Sequence, residues 1–108
     1  MQFIILGHDG KDAEAKKRRQ AARQAHIDLG EKLRLGGNMW YGAALLDDNG
    51  NMNGSMILVD FPDRKSLDQW LKDEPYVVAE VWKKIEIYPC NVRDPAQFNR
   101  PAEFFESR

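Results

Sequence analysis

The chain has 108 residues, the size of one small domain, and 43% of them are hydrophobic, too many for a disordered chain. Its formal net charge of −1 gives no overall attraction to nucleic acid or an anionic membrane, and no apolar run approaches a membrane span. A lone cysteine, Cys90, excludes an internal disulfide, and the N-terminus has neither the basic lead nor the apolar length of a signal peptide, so a cytoplasmic protein is expected.

Residues 2–7, QFIILG, are short, apolar and closed by Gly7, Asp9 and Gly10, which predicts a buried strand. Residues 12–35 predict a helix. Asp12 suits its N-cap, Ala22, Leu29 and Leu33 fall on one stripe, and Gly36 and Gly37 end it. Residues 38–46 predict a second strand, and DDNGNMNG carries a strong hairpin-turn signal. SMILVDF, residues 55–61, is the third strand. Pro62 stops it, and Asp63 or Ser66 caps a helix whose buried face is Leu67, Trp70 and Leu71. Pro75 suits the first position of a fresh helical turn, here expected over residues 75–83 with Val77, Val78, Val81 and Trp82 facing one way. IEIYPCNV, residues 85–92, alternates as the fourth strand. The domain is expected over residues 1–92. Residues 93–108 read as a polar tail with Phe98, Phe104 and Phe105 available for docking.

This order is βαββαβ, an α+β, ferredoxin-like pattern with a four-stranded antiparallel sheet. Its helices cover one sheet face. Strands 2 and 3 are apolar on both alternating sets, so both faces are expected to be buried. The simplest cover for the second face is another copy of the chain, giving a homodimer through its sheet faces.

His26 stands on the first helix with Arg23 three residues before it, Arg19 seven before, and Leu29 and Leu33 three and seven after, all near one face. The plain reading is an inert histidine at the edge of the core. A catalytic reading needs an acid to orient the ring and leave its other nitrogen as a general base. Asp73 and Glu74 are the candidates. Glu74, directly before Pro75, is placed to cap the following turn, and it orients an imidazole as well only if its two oxygens diverge. Arg19 and Arg23 suit a substrate oxyanion. Trp40, Tyr41, Tyr76 and Trp82 offer aromatic walls or, equally, packing. His8-Asp9 is weak evidence of a site, and Asp9-Gly10 reads better as a turn. The histidines and cysteine lack metal-ligand spacing, and no phosphate loop or serine-nucleophile motif appears, so no metal or cofactor is expected. KKRR, residues 16–19, reads as a solvated helix face rather than a nucleic-acid patch. Cys90 reads as packed.

Arg23-x-x-His26, LGEKLRLGG, GAALLDDNGNMNGSMILVDF, WLKDEPYV and VWKKIEIYPC occur in this order between Asp9 and Val92. Together they resemble the YCII-related proteins. The resemblance implies a dimeric α+β barrel, with an active site made of a histidine on helix 1 and an acid in an Asp-Pro-Tyr-like motif. His26 matches the histidine. Glu74 stands where the family usually has aspartate, one methylene longer, and Asp73 is the possible substitute. Ala79-Glu80 replaces a glycine-type pair expected before Val81-Trp82. A few relatives resemble dehydrochlorinases and lactone isomerases of aromatic-ring breakdown. Three function classes remain at this point: a small cofactor-independent enzyme moving a proton on an oxygenated ring compound, a dimeric ligand-binding or accessory module without turnover, and a structural dimer whose polar face is incidental.

Overall fold

The computed structural model of the chain describes residues 1–93. The tail from residue 94 onward, with its three phenylalanines, lies outside the described residues. In chain order the elements are β1 (Gln2–Asp9), α1 (Ala15–Leu35), β2 (Met39–Leu46), β3 (Met52–Asp60), α2 (Arg64–Leu71), α3 (Pro75–Val78) and β4 (Trp82–Cys90). The strands form one antiparallel sheet in the order β2-β3-β1-β4, the ferredoxin-like arrangement expected from the sequence. None of the helices among the described residues is long and apolar enough to cross a membrane.

The two central strands are the most apolar, and their alternation decides which face is covered. Phe3, Ile5, Ile57 and Val59 are buried beneath the helices together with Ala22, Leu67, Tyr76, Val81 and Trp82. The opposite residues form a second apolar row. Tyr41 pairs with Leu58, Leu58 with Ile4, and Ile4 with Tyr88, so one row crosses all four strands. In the single chain this second face is uncovered: Ile4 and Leu58 are half-buried, and Tyr41 and Tyr88 are exposed.

The helix ends show how the chain reaches its site. Asp12 does not cap α1. Helix geometry begins at Ala15 after Glu14, and Asp12 instead grips Arg18 through two bonds of 2.6 and 2.8 Å. That guanidinium holds the Asp12 carboxyl well below the usual carboxylate range. Asp63 caps α2, accepting from the N–H of Ser66 at 2.8 Å. Both α1 and α3 end in the same paired bonds. In α1, Asn38 N–H reaches Leu33 O and Gly37 N–H reaches Arg34 O. In α3, Val81 N–H reaches Tyr76 O and Glu80 N–H reaches Val77 O. The residue inside this motif adopts a left-handed backbone. Gly37 does so at φ 83° without a steric penalty, whereas Glu80 does so at φ 56° with a side chain in place.

This stop is earlier than the sequence suggests. The turn expected to run to residue 83 ends at Val78, and Val78 is exposed, while Val81 and Trp82 are buried after the reversal. Trp82 opens β4 opposite Asp9, beside a register shift in the ladder. Its indole lies over Gly7, where an added Cβ would come within 2.2 Å of Trp82 Cδ2. Gly7 therefore makes the space that Trp82 fills.

Glycine at position 80 removes the left-handed penalty but adds freedom to the unfolded chain. Glu80→Gly is expected to raise stability by about 0.5–1 kcal/mol, read from the urea midpoint. Glu80→Val is expected to lower it, and equal midpoints for the two variants would contradict strain at this residue.

Candidate active site

Glu74 is the N-cap of α3, and its side chain is 1% exposed. A buried carboxylate needs partners for both oxygens. Oε2 accepts from the backbone N–H groups of Tyr76 at 2.6 Å and Val77 at 3.3 Å. Oε1 turns the other way and bonds Nδ1 of His26, brought in from α1. The two oxygens diverge, so one side chain caps and orients at once. A carboxylate oxygen only accepts, so Nδ1 carries the proton in this bond, and in the neutral ring Nε2 is then the acceptor nitrogen.

Tyr76 holds the imidazole from a second direction. The rings stack with centroids 3.9 Å apart and planes within 7°. Trp82 packs edge-on against both, at 5.9 Å from His26 and 5.6 Å from Tyr76. The Tyr76 hydroxyl accepts from Arg19 at 3.3 Å. Burial pushes the Tyr76 phenol upward, and the positive charges of Arg19 and Arg23 oppose that push. The phenol is therefore neutral at physiological pH.

Arg19 is buried, and each of its three side-chain nitrogens has a partner. Its Nε donates to Asp9 at 2.6 Å, and its terminal nitrogens reach the other Asp9 oxygen, Gly54 O, Ser55 Oγ and Tyr76. Ser55 Oγ also accepts from Trp82 Nε1 at 3.2 Å. Asp9, Arg19, Ser55 and Trp82 thus form one buried network under the stacked rings.

His26, Tyr76, Arg19 and Arg23 line a cleft of about 290 Å³ between α1 and the β2–β3 half of the sheet. Its middle is apolar, with Ile27, Gly30, Met39 and Ile57 in the walls. The structure thus brings together His26, Glu74, Arg19, Tyr76 and Trp82, with Arg23 exposed on the rim. Three other candidates stand elsewhere. Asp73 is exposed after α2, its N–H bonded to Trp70 O. Tyr41 is 49% exposed on the opposite sheet face. Trp40 donates its indole N–H to Gly37 O, near the end of α1.

Ser55 is not singled out by the sequence, and Asp9, read there as a turn residue, instead ends β1 as the buried partner of Arg19. The signal available was strand parity. Asp9 continues the Phe3, Ile5, Gly7 series, so its side chain had to enter the covered face, where an acid requires a cation. Among the described residues, no group of three His, Cys, Asp or Glu side chains is placed to hold a metal ion.

The YCII-related domain matches residues 1–91. The chain belongs to the YCII-related family. Among curated proteins none matches significantly. Of solved structures, 5-chloro-2-hydroxyhydroquinone dehydrochlorinase (TftG) from Burkholderia phenoliruptrix AC1100, complexed with 2,5-dihydroxybenzoquinone, is similar at a TM-score of 0.73 and 18% identity, covering 84% of this chain and 94% of that one. Rv0793 from Mycobacterium tuberculosis is similar at 0.55 and 10% identity, covering 86% and 98%. A conserved protein from Methanosarcina mazei Go1 is similar at 0.52 and 16% identity, covering 82% and 91%. At these identities the likeness shows the shared YCII-type, ferredoxin-like fold.

Removing one member of a buried ion pair leaves the other charged and unpaired. Asp9→Ala is expected to cost about 3–5 kcal/mol, measured by chemical denaturation. A loss below 1 kcal/mol, with the fold intact, would mean that Arg19 does not depend on this partner.

Proposed function

We propose that this YCII-related protein is a small enzyme that moves a proton on an oxygenated ring compound held in the α1 cleft. The carrying observation is the divided carboxylate of Glu74, with one oxygen on the α3 backbone and the other on His26 Nδ1. The similarity to a dehydrochlorinase structure supports a substrate of this chemical class. His26 Nε2 accepts a proton from a carbon next to a carbonyl, and the electron pair left behind delocalises onto the carbonyl oxygen. Glu74 stabilises the imidazolium that forms, and the Tyr76 face supports it. Return of the proton to another carbon is an isomerisation. Departure of chloride from the adjacent carbon, as the enolate collapses, is an elimination. Neither step changes the oxidation state of a protein group.

The test uses chlorinated hydroxyhydroquinones and unsaturated lactones, with chloride release and ultraviolet absorbance as readouts. His26→Gln is expected to lower kcat/KM by about 10²–10⁴-fold. Glu74→Gln keeps an oxygen for the cap and is expected to lower kcat with KM little changed, because it acts through His26. Turnover by wild type and His26→Gln at the same rate would remove the imidazole from the mechanism. Saturable binding without any product would favour the ligand-binding module instead.

The same proposal includes a homodimer through the second sheet face. The apolar row Tyr41, Leu58, Ile4 and Tyr88 runs across the whole sheet, and a second copy offers the same row in return. Tyr88→Arg is expected to convert a dimeric sedimentation profile to a monomeric one. A wild-type monomer at high micromolar concentration would contradict this assembly.

A further inference from the structure

Two cavities meet along α1. The cleft beside His26 is joined at its cationic end by a second chamber of about 570 Å³, which lies over the first turns of α1 and the β2–β3 turn. The two share Arg19, Arg23 and Met52. The two arginines at this junction are in opposite states. Arg19 is buried, and each of its nitrogens is bonded within the protein, to Asp9, Gly54, Ser55 or Tyr76. Arg23 is exposed, and among the described residues its guanidinium makes no hydrogen bond or ion pair. It is nevertheless near enough to Tyr76 for its charge to act on the phenol.

The second chamber is also unbalanced in charge. Its acids are engaged: Asp9 holds Arg19, Asp12 holds Arg18, and Asp47 accepts the N–H groups of Asn49 and Asn51. Its cations Lys11, Lys16 and Arg23 have no ion-pair partner among the described residues. A chamber with occupied acids and free cations favours an anion.

We infer that the substrate of the His26 site is an anion whose ring occupies the cleft and whose carboxylate-bearing arm passes Arg23 into the second chamber, with Arg23 reading the charge. This rests on the cleft being the substrate site, and it names the substrate class. A neutral ring fills the apolar cleft but leaves the Arg23 guanidinium to water. An acidic arm replaces that water with a two-pronged, charge-assisted contact. Arg19 is the lesser candidate for this contact, because it is buried and each of its nitrogens already has a partner inside the protein.

The probes are 2,5-dihydroxyphenylacetate and its neutral, similarly shaped amide, titrated against the full chain while the His26 and Tyr76 ring resonances are followed by NMR. Wild type is expected to bind the carboxylate about tenfold more tightly than the amide, which corresponds to about 1.4 kcal/mol. Arg23→Met is expected to abolish that preference and leave the amide affinity unchanged. Equal affinities in wild type, an undiminished preference in Arg23→Met, or no ring perturbation by either probe would each overturn the inference. The readout is binding alone, so it is independent of the proton-transfer proposal. The same preference in His26→Gln, followed on Tyr76, supports the Arg23 assignment even where turnover assays sink the role of His26.

Discussion

The site depends on one carboxylate serving two elements that are far apart in sequence. Glu74 is almost wholly buried, so each of its oxygens must be satisfied within the protein. Pro75 fixes the first turn of α3 and has no N–H of its own, which leaves the next two N–H groups to converge on Oε2. With that oxygen held, the carboxylate plane is set, and Oε1 can serve only a donor arriving from α1. His26 supplies it. A histidine bound only at the surface would turn freely, whereas this ring is constrained in its plane by Glu74 and across its face by Tyr76.

Tyr76 links this arrangement to the rest of the core. Its backbone N–H completes the cap, its ring stacks on His26, and its hydroxyl meets Arg19. Arg19 in turn joins Asp9 of β1 to Gly54 and Ser55 of β3. A charged group this deep adds little net stability when paired, because desolvation offsets most of the attraction. Its contribution is geometric. The guanidinium presents donors at set angles, so β1, β3 and α3 meet at one fixed spacing. The His26–Glu74 pair then sits on a frame assembled from the protein's own contacts.

Much of the fold was legible in the chain because alternation and capping are local. The apolar strands, the stop at Gly36-Gly37, the Asp63 cap and the proline-led turn are written in neighbouring residues. The contact of His26 with an acid beside Pro75 was also open to inference from those residues. Asp9 was harder to read. As part of Asp9-Gly10 it has the composition of a turn, and only strand parity, combined with a cation ten residues later, points it inward. Tyr41 shows the opposite difficulty. An aromatic residue in a strand has two faces to choose from, and the shift between Met39 and Tyr41 in the β2–β3 register puts this one outside. The choice between Asp73 and Glu74 depended on which carboxylate the helix cap turned inward, a tertiary property with no local signature.

The reversal after α3 also escaped a helical reading, and its energetics explain why the chain accepts it. Continuing the helix would have kept Glu80 in a relaxed backbone, with Val81 and Trp82 carried onward along the helix surface. The left-handed residue at 80 instead turns the chain so that Val81 is 1% and Trp82 4% exposed. Burying side chains of that size contributes about 1.5–3 kcal/mol each, against about 1–2 kcal/mol for the left-handed residue. The turn is therefore favourable even without glycine. It also sets the indole of Trp82 over Gly7 and against the edges of His26 and Tyr76. The local backbone penalty at Glu80 is thus coupled to the orientation of the rings. A glycine there would ease the turn without changing where it leads, because the destination is dictated by the hydrophobic burial and the Ser55 bond that follow it.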